Sequence, residues 1–350
     1  MKRNSSIEVL RIIAMLLIVQ SHFAVHGYMT AVGGDLASIG NSLNRFLITL
    51  ITTGNIGNGL FMIITGYYLS LSSSYNLRRI LRVVIQVLTY SLLCYFFFTL
   101  VLGVSSFSFA GLFSAATPLM HDTYWYFSSY ILVYIFHPYI NAIINNINRK
   151  ELGLLILFMA IVWGFVPALL GLSFQKSSFL VFCLFYFIGA YLRRYYVIGE
   201  GFGLKWISLR FNKKQIKGIL IAVVALWFFT ALVTAWFTPF YRFVYMASPL
   251  IILLSVSAFL LFLNLNFVKG SRLINAIAGC MGGVYLLSDN PFVRDYLYES
   301  IFHVSNYIES NSMIIYTYSF VFLTFTCCVF VEFIRKSLYD FMERVFTRTK

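Results

Sequence analysis

The first apolar segment of the chain contains two polar residues that need an explanation, Arg11 and His22. A helix turns about 100° per residue, so eleven residues return to nearly the same face, roughly 16 Å further along the axis. Ionisable residues within a membrane span are costly and by default mark a functional site. A neutral imidazole can take a proton from an alcohol and return it. The spacing therefore predicts a helix face with a fixed cation near one membrane surface and a base deeper in the membrane.

Both residues also have simpler interpretations. Arg11 follows Glu8 by three residues, so it can pair with this carboxylate or extend its side chain to the membrane surface. His22 can be a hydrogen-bonded packing residue. The alignment of two polar residues on one apolar helix favours the functional interpretation. His26, four residues further along, is expected at the outer water interface.

Three arginines open the third apolar segment, Arg78, Arg79 and Arg82, and they neighbour one another on a helix. Guanidinium groups bind phosphate oxygens through paired hydrogen bonds. The cluster therefore predicts either a signal that sets the topology of the chain or a site for the phosphates of a nucleotide-like donor.

Two later stretches combine apolar sequence with polar or aromatic groups. Trp125 and Tyr126 are typical of the aromatic belt at a membrane surface, but they can also stack on a sugar ring. Asp289, Asn290 and Arg294 lie in an otherwise apolar segment. Asp289 either pairs with Arg294 near the outer surface or orients a catalytic histidine, and it is the acidic residue that the pattern places well inside a span.

The composition indicates an integral membrane protein. Of the 350 residues, 60% are hydrophobic and 11% are charged, and the mean hydropathy is +0.83, whereas soluble domains are about one quarter charged. The pattern predicts an all-α, polytopic bundle of ten transmembrane helices with both termini in the cytoplasm. The predicted spans are residues 8–26, 46–71, 80–102, 124–145, 152–171, 178–196, 218–237, 243–268, 274–298 and 313–334.

Basic residues are distributed unequally between the two sets of loops, and this decides the predicted orientation. The net charge is +14, and 21 of the 26 Lys and Arg lie in alternate segments. These segments are residues 2–3, 78–82, 149–150, 193–217, 269–272 and 335–350. The positive-inside rule places them in the cytoplasm. The basic excess is thus a topology signal, and nucleic acid is not an expected partner.

The chain divides into a membrane domain, residues 1–334, and a basic amphipathic tail, residues 335–350, which is expected on the cytoplasmic membrane surface. All five cysteines lie in apolar stretches without the spacing of metal ligands. They are expected to be buried, reduced thiols, and no metal is expected.

These motifs together resemble the acyltransferase-3 family of multi-span membrane acyltransferases. The likeness covers essentially the whole chain in the expected order. It rests on Arg11 with His22, the glycine-rich stretch 57–69, Arg79 with Arg82, Trp125 with Tyr126, and residues 285–291. Ser288 departs from the pattern, because the family often has a histidine there.

The resemblance implies transfer of an acyl group, with acetyl expected, from cytoplasmic acyl-coenzyme A to a hydroxyl of an extracytoplasmic or exported polysaccharide at the cell membrane. In this scheme His22 is the base or a transient acyl carrier, Asp289 orients it, and Arg11 holds a phosphate or the thioester end of the donor. Arg78, Arg79 and Arg82 hold the coenzyme A phosphates. Trp125, Tyr126, Asn290 and Arg294 are the candidate residues for binding the glycan.

Two other classes of function use the same kind of buried polar residues. A polysaccharide exporter or flippase, or a small-molecule transporter, would line a pathway with them. Polar residues concentrate on the first, second, fourth and ninth predicted spans, which favours a single reaction chamber. Besides acyl-coenzyme A and the glycan acceptor, the expected partners are membrane lipid and a second copy of the chain in a homo-oligomer.

Overall fold

The computed structural model describes residues 4–72, 74, 76–121, 123–171, 177–196, 202–204, 209–236, 245–265 and 270–348. Most of these residues are helical. The α-helices are α1 (Ser5–His22), α2 (Ser42–Ile51), α3 (Gly54–Leu69), α4 (Leu77–Phe96), α5 (Phe109–Ala116), α6 (Trp125–Asn146), α7 (Arg149–Ala160), α8 (Val166–Leu170), α9 (Ser178–Tyr195), α10 (Lys213–Trp236), α11 (Pro249–Asn264), α12 (Arg272–Ala278), α13 (Met281–Ser288), α14 (Pro291–Asp295) and α15 (Met313–Arg348). Two short strands, β1 (Phe202–Leu204) and β2 (Leu209–Phe211), pair antiparallel.

Seven helical segments of the described chain are long and apolar enough to cross a membrane. They are Ser5–Met29, Ser42–Leu69, Leu77–Val101, Trp125–Asn146, Arg149–Leu170, Lys214–Trp236 and Met313–Glu343. Large apolar side chains such as Leu93, Phe158, Phe229 and Phe330 are exposed on their surfaces, where a soluble protein would present polar groups. The predicted all-α class is confirmed, and the chain is a multi-pass membrane protein.

The three remaining predicted spans are not among these seven segments. Span 178–196 coincides with α9 to within one residue, and span 243–268 contains the shorter α11, which has 16 residues. Residues 243–244 and 266–268 of that span lie outside the described residues. Span 274–298 is interrupted, because α12, α13 and α14 succeed one another within it.

Helix α1 contributes to the two larger hydrophobic cores of the bundle. Its first half shares one core with α3, α6, α9 and α11, and its second half shares the other with α4, α13 and α15. The Asn4 side chain accepts a hydrogen bond from the Ser6 amide and caps the helix. Immediately after His22 the chain continues as a π-helical segment, Phe23–Met29. Segments of this kind often occur at functional sites.

The second membrane-spanning segment is broken between α2 and α3. Gln20 of α1 donates hydrogen bonds to the Ile51 carbonyl and to the Thr53 hydroxyl at the break. It thereby satisfies a backbone group that has lost its helical partner. After the break, α3 packs on α9 so closely that a Cβ at Gly66 would overlap the Tyr186 carbonyl. Small residues allow such close helix approach in membranes.

The start of α1, the start of α4 and the end of α15 lie at the same end of the bundle. Arg11 and Arg79 line one cavity, and Arg82 forms an ion pair with Glu343 near the end of α15. Helix α15 continues without a break through the predicted domain boundary at 334/335. The structure thus gives residues 335–348 as a continuation of the last span, and their location on the membrane surface stays a prediction. Cys327 of this helix is exposed, so the prediction that every cysteine is buried is wrong for this residue.

Candidate active site

A cavity of about 380 Å³ lies between α1, α3, α4, α6 and the α12–α13 region. Arg11, Met15 and Ile18 line it from α1 at helical spacing, and His22 is one turn further along the same stripe. The Arg11 guanidinium lies 3.1 Å from the Glu8 carboxylate, so the simpler pairing also exists. The cavity therefore begins at a cation and extends along α1 toward His22.

Tyr285 separates the far end of this cavity from His22. It lines the cavity, and its ring centroid lies 5.8 Å from that of His22 in an edge-on arrangement. The His22 side chain is 15% exposed, but its Nδ1 atom is completely enclosed. The accessible part of the imidazole therefore belongs to the other atoms of the ring.

Asp289 is the centre of a cluster that joins α1 to the end of α13. His22 Nδ1 lies 3.6 Å from Asp289 Oδ1, just beyond hydrogen-bond distance, and His26 Nε2 lies 3.9 Å from the same oxygen. Arg294 donates to Asp289 Oδ1 and to His26 Nε2, each at 3.3 Å. The structure brings His26 into this cluster, and its expected location at the outer interface stays a prediction.

The Arg294 contacts determine which histidine can be oriented by Asp289. A guanidinium has no acceptor, so His26 Nε2 must accept the hydrogen bond from Arg294 and carries no proton there. His22 Nδ1 is thus the histidine nitrogen in this cluster suited to donate to Asp289. That donation leaves His22 Nε2 with a lone pair.

The position of Asp289 follows from the break between α13 and α14. Helix α13 ends at Ser288, and Pro291 begins α14 at the position where its missing amide hydrogen has no cost. The Asn290 side chain accepts from the Phe292 and Val293 amides and donates to the Tyr124 hydroxyl at 2.8 Å. Asn290 was predicted to bind substrate, but these contacts engage both of its polar atoms within the protein.

Two buried polar atoms around Asp289 have no hydrogen-bond partner among the described residues. They are His22 Nδ1 and the Ser288 hydroxyl. Leaving a polar group unpaired in the protein interior costs about 1–3 kcal/mol. Such groups need an explanation, and a reacting ligand is one. The cluster thus contains polar groups next to His22 that can form hydrogen bonds to a ligand.

The three predicted phosphate-binding arginines occupy different environments. Arg79 lines the cavity, and its guanidinium lies 5.2 Å from the Tyr134 ring centroid. Arg82 is 57% exposed and lies 2.8 Å from Glu343. Arg78 is exposed and does not line the cavity. The structure therefore brings Arg79 and Arg11 together at one cavity and leaves Arg78 and Arg82 outside it.

The two aromatic residues at the start of α6 also differ. Tyr126 lines the cavity and packs on Phe182 and Tyr285, at centroid distances of 5.0 and 5.6 Å. Trp125 packs on Phe182 and does not line the cavity. Tyr126 is thus a wall of the cavity between its two ends.

Sequence reasoning missed a further buried carboxylate besides Glu8 and Asp289. Glu332 of α15 is 2% exposed and accepts hydrogen bonds from Gln86, Tyr90 and Arg335. The expectation that Asp289 is the acidic residue well inside a span is therefore incomplete. Gln86 follows Arg79 by seven residues on the same face of α4, and this spacing was a usable signal.

Comparison with known proteins supports the sequence resemblance. A family model of the acyltransferase-3 type, described as an acyltransferase domain, matches residues 4–333. No curated protein and no solved structure matches the chain. The matched residues include the histidine cluster around Asp289 and the entire lining of the cavity.

Proposed function

The chain belongs to the acyltransferase-3 family and is a membrane acyltransferase, and we propose that it moves an acetyl group from cytoplasmic acetyl-coenzyme A to a hydroxyl of an extracytoplasmic polysaccharide. One observation carries the proposal. A single cavity begins at the Arg11 and Arg79 guanidinium groups and ends at Tyr285, whose ring contacts His22. Anion-binding groups thus lie at one end of this cavity, and a base lies just beyond Tyr285 at the other end.

The donor enters with its phosphates at the arginine end. Guanidinium groups bind phosphates through charge-assisted hydrogen bonds, and both Arg11 and Arg79 face this space. From Arg11 to His22 the rise along α1 is roughly 16 Å, which is close to the reach of an extended pantetheine arm. The arm therefore brings the thioester to Tyr285 and His22, with Arg78 and Arg82 adding positive potential at the entrance.

Transfer takes place at His22. The acceptor hydroxyl gives its proton to His22 Nε2 while its oxygen bonds to the carbonyl carbon of the thioester. The carbon–sulfur bond then breaks, and the imidazolium returns the proton to the sulfur. The products are an oxygen ester and the free thiol of coenzyme A. Asp289 stabilises the imidazolium that forms and holds His22 in the required tautomer.

The acceptor reaches His22 from the opposite membrane face. We propose ten spans with cytoplasmic termini in the plasma membrane, in which α9, α11 and the α12–α14 region complete the seven longer segments. This orientation places the arginine end at the cytoplasm and His26 and Arg294 toward the outside. Their side chains are 31% and 23% exposed, so they can contact an incoming glycan.

The proposal is tested with the intact cell and the purified protein together. Cells that lack the gene should carry less alkali-labile acetate on their surface polysaccharide, and the unmutated gene should restore it. Expression of the His22→Gln variant at the same protein level should not restore the acetate. The purified protein should bind coenzyme A. Equal acetate content with and without the gene, or no binding of coenzyme A, would overturn the proposal.

A further inference from the structure

Beside the cavity, Gln86 belongs to a buried polar network whose other members do not face the cavity. The Glu332 carboxylate accepts from Gln86 Nε2 at 3.0 Å and from the Tyr90 hydroxyl at 2.6 Å. Arg335 donates to both of its oxygens, at 2.7 and 2.8 Å. A Cβ at Gly283 would overlap the carboxylate, so a glycine is needed for this close packing. The network thus fixes the Gln86 side chain on the side of Glu332.

The network also decides which way the Gln86 amide points. Gln86 turns its NH₂ group toward Glu332, because the carboxylate oxygen accepts the hydrogen bond from Gln86 Nε2. Its Oε1 then lies on the other side, and it accepts no hydrogen bond from the described residues. Gln86 lines the cavity, where both amide atoms lie close to Gly282. A residue of the cavity wall thus carries an oriented amide oxygen that accepts no hydrogen bond from the described residues.

We propose that Gln86 Oε1 accepts a hydrogen bond from an amide N–H of the pantetheine arm of the donor, and that Glu332 positions it. This inference rests on the proposed function. Gln86 lies seven residues beyond Arg79 on α4, roughly 10 Å deeper in the cavity. With a phosphate at Arg79, the amides of the arm lie at about this depth. The enzyme thereby selects donors that carry an amide-containing arm over simple acyl thioesters.

Two ligands distinguish binding of the pantetheine arm from binding of the phosphates. Coenzyme A contains the arm, whereas adenosine 3′,5′-bisphosphate lacks it and keeps phosphates. Gln86→Met preserves size without an acceptor, so it should weaken binding of coenzyme A by about threefold to tenfold, the usual loss for one neutral hydrogen bond. Binding of the bisphosphate should not change. Glu332→Gln should shift the ratio of the two affinities in the same direction, because Gln86 loses its fixed orientation.

Ile85→Met is the matched control, since Ile85 is the exposed neighbour of Gln86 on the same helix. It should change neither affinity. Partial loss of folded protein does not alter a ratio of dissociation constants, and Gln86→Leu replaces the Met variant if that protein does not fold. Equal weakening of both ligands, or of neither, would overturn the role of Gln86. Failure of the unmutated protein to bind coenzyme A would instead reject the proposed function itself.

Discussion

The two regions at opposite ends of the cavity, the histidine cluster beyond Tyr285 and the arginine groups, are built differently. At the histidine end, Asp289 is surrounded by His22, His26 and Arg294, and its side chain is 5% exposed. At the arginine end, Arg79 and Arg11 face the cavity, and Arg11 is 32% exposed. The first end holds its charges in fixed contact with one another, and the second presents cationic groups to a space that a ligand can fill.

This difference indicates a division of work. Groups that are fixed before the substrate arrives lower the barrier of the reaction, because they need no reorganisation at the moment of transfer. Cations at an open surface contribute mainly to affinity and to the rate of association. Substitutions at the histidine end should therefore reduce the rate with bound donor, and those at the arginine end should reduce donor affinity.

The largest effect is expected for His22→Gln. Glutamine keeps hydrogen-bonding capacity but cannot exchange a proton near pH 7, so the transfer rate should fall by about a hundredfold to ten-thousandfold. The dissociation constant for coenzyme A should stay the same. Product ester, donor affinity and protein level are measured together. His121→Gln, an exposed histidine away from the cluster, is the control. An active His22→Gln enzyme would refute the catalytic assignment.

A smaller loss of rate is expected for Asp289→Asn. Asparagine keeps the shape but removes the charge that faces His22, so transfer should slow by about a hundredfold with donor affinity intact. Asp295→Asn is a matched control, because Asp295 contacts the same Arg294 but is 61% exposed. It should retain most of the activity. Equal losses in the two variants would show that Asp289 acts only by holding Arg294 in place.

The fold could be predicted from the sequence where hydropathy alone decides it. The long apolar segments and the common end of α1, α4 and α15 follow from composition and helical period. The break between α2 and α3 did not follow, because it depends on tertiary contacts. The gap between α2 and α3 depends on Gln20 of another helix. Pro291 indicated the interruption after α13. The full length of α15 could not be read from hydropathy, because its last turns are charged.

The site was predictable where residues share one helix. Arg11 and His22 lie on the predicted stripe of α1, since a helical period fixes which residues face the same way. Contacts between distant helices were not encoded in any local pattern. The meeting of His26 with Arg294, and of Gln86 with Glu332, joins residues more than two hundred positions apart. Likewise, the sequence pattern does not distinguish Arg79 from Arg82. Only the ion pair of Arg82 with Glu343 of α15 separates their environments.

At the arginine end, Arg79→Ala should mainly weaken donor binding. Loss of one charge-assisted phosphate contact should raise the dissociation constant for coenzyme A about tenfold to a hundredfold. The rate at saturating donor should change little. Arg79→Lys should recover part of the affinity, because the ammonium keeps the charge but not the paired hydrogen bonds. A reduced rate with unchanged affinity would contradict the division between the two ends.

Arg82→Ala is the matched comparison for Arg79→Ala and should have the smallest effect. Its guanidinium lies 2.8 Å from Glu343, and 57% of the side chain is exposed. Exposed ion pairs contribute about 0–1 kcal/mol, so neither the folding equilibrium nor the donor affinity should change by more than about fivefold. Glu343→Gln frees Arg82 and removes an anion near the entrance, so coenzyme A should bind slightly more tightly at low salt. If Arg82→Ala weakened donor binding as strongly as Arg79→Ala, the phosphates would have to extend beyond the cavity to the surface of α4, and the arginine end would be a broad cationic surface.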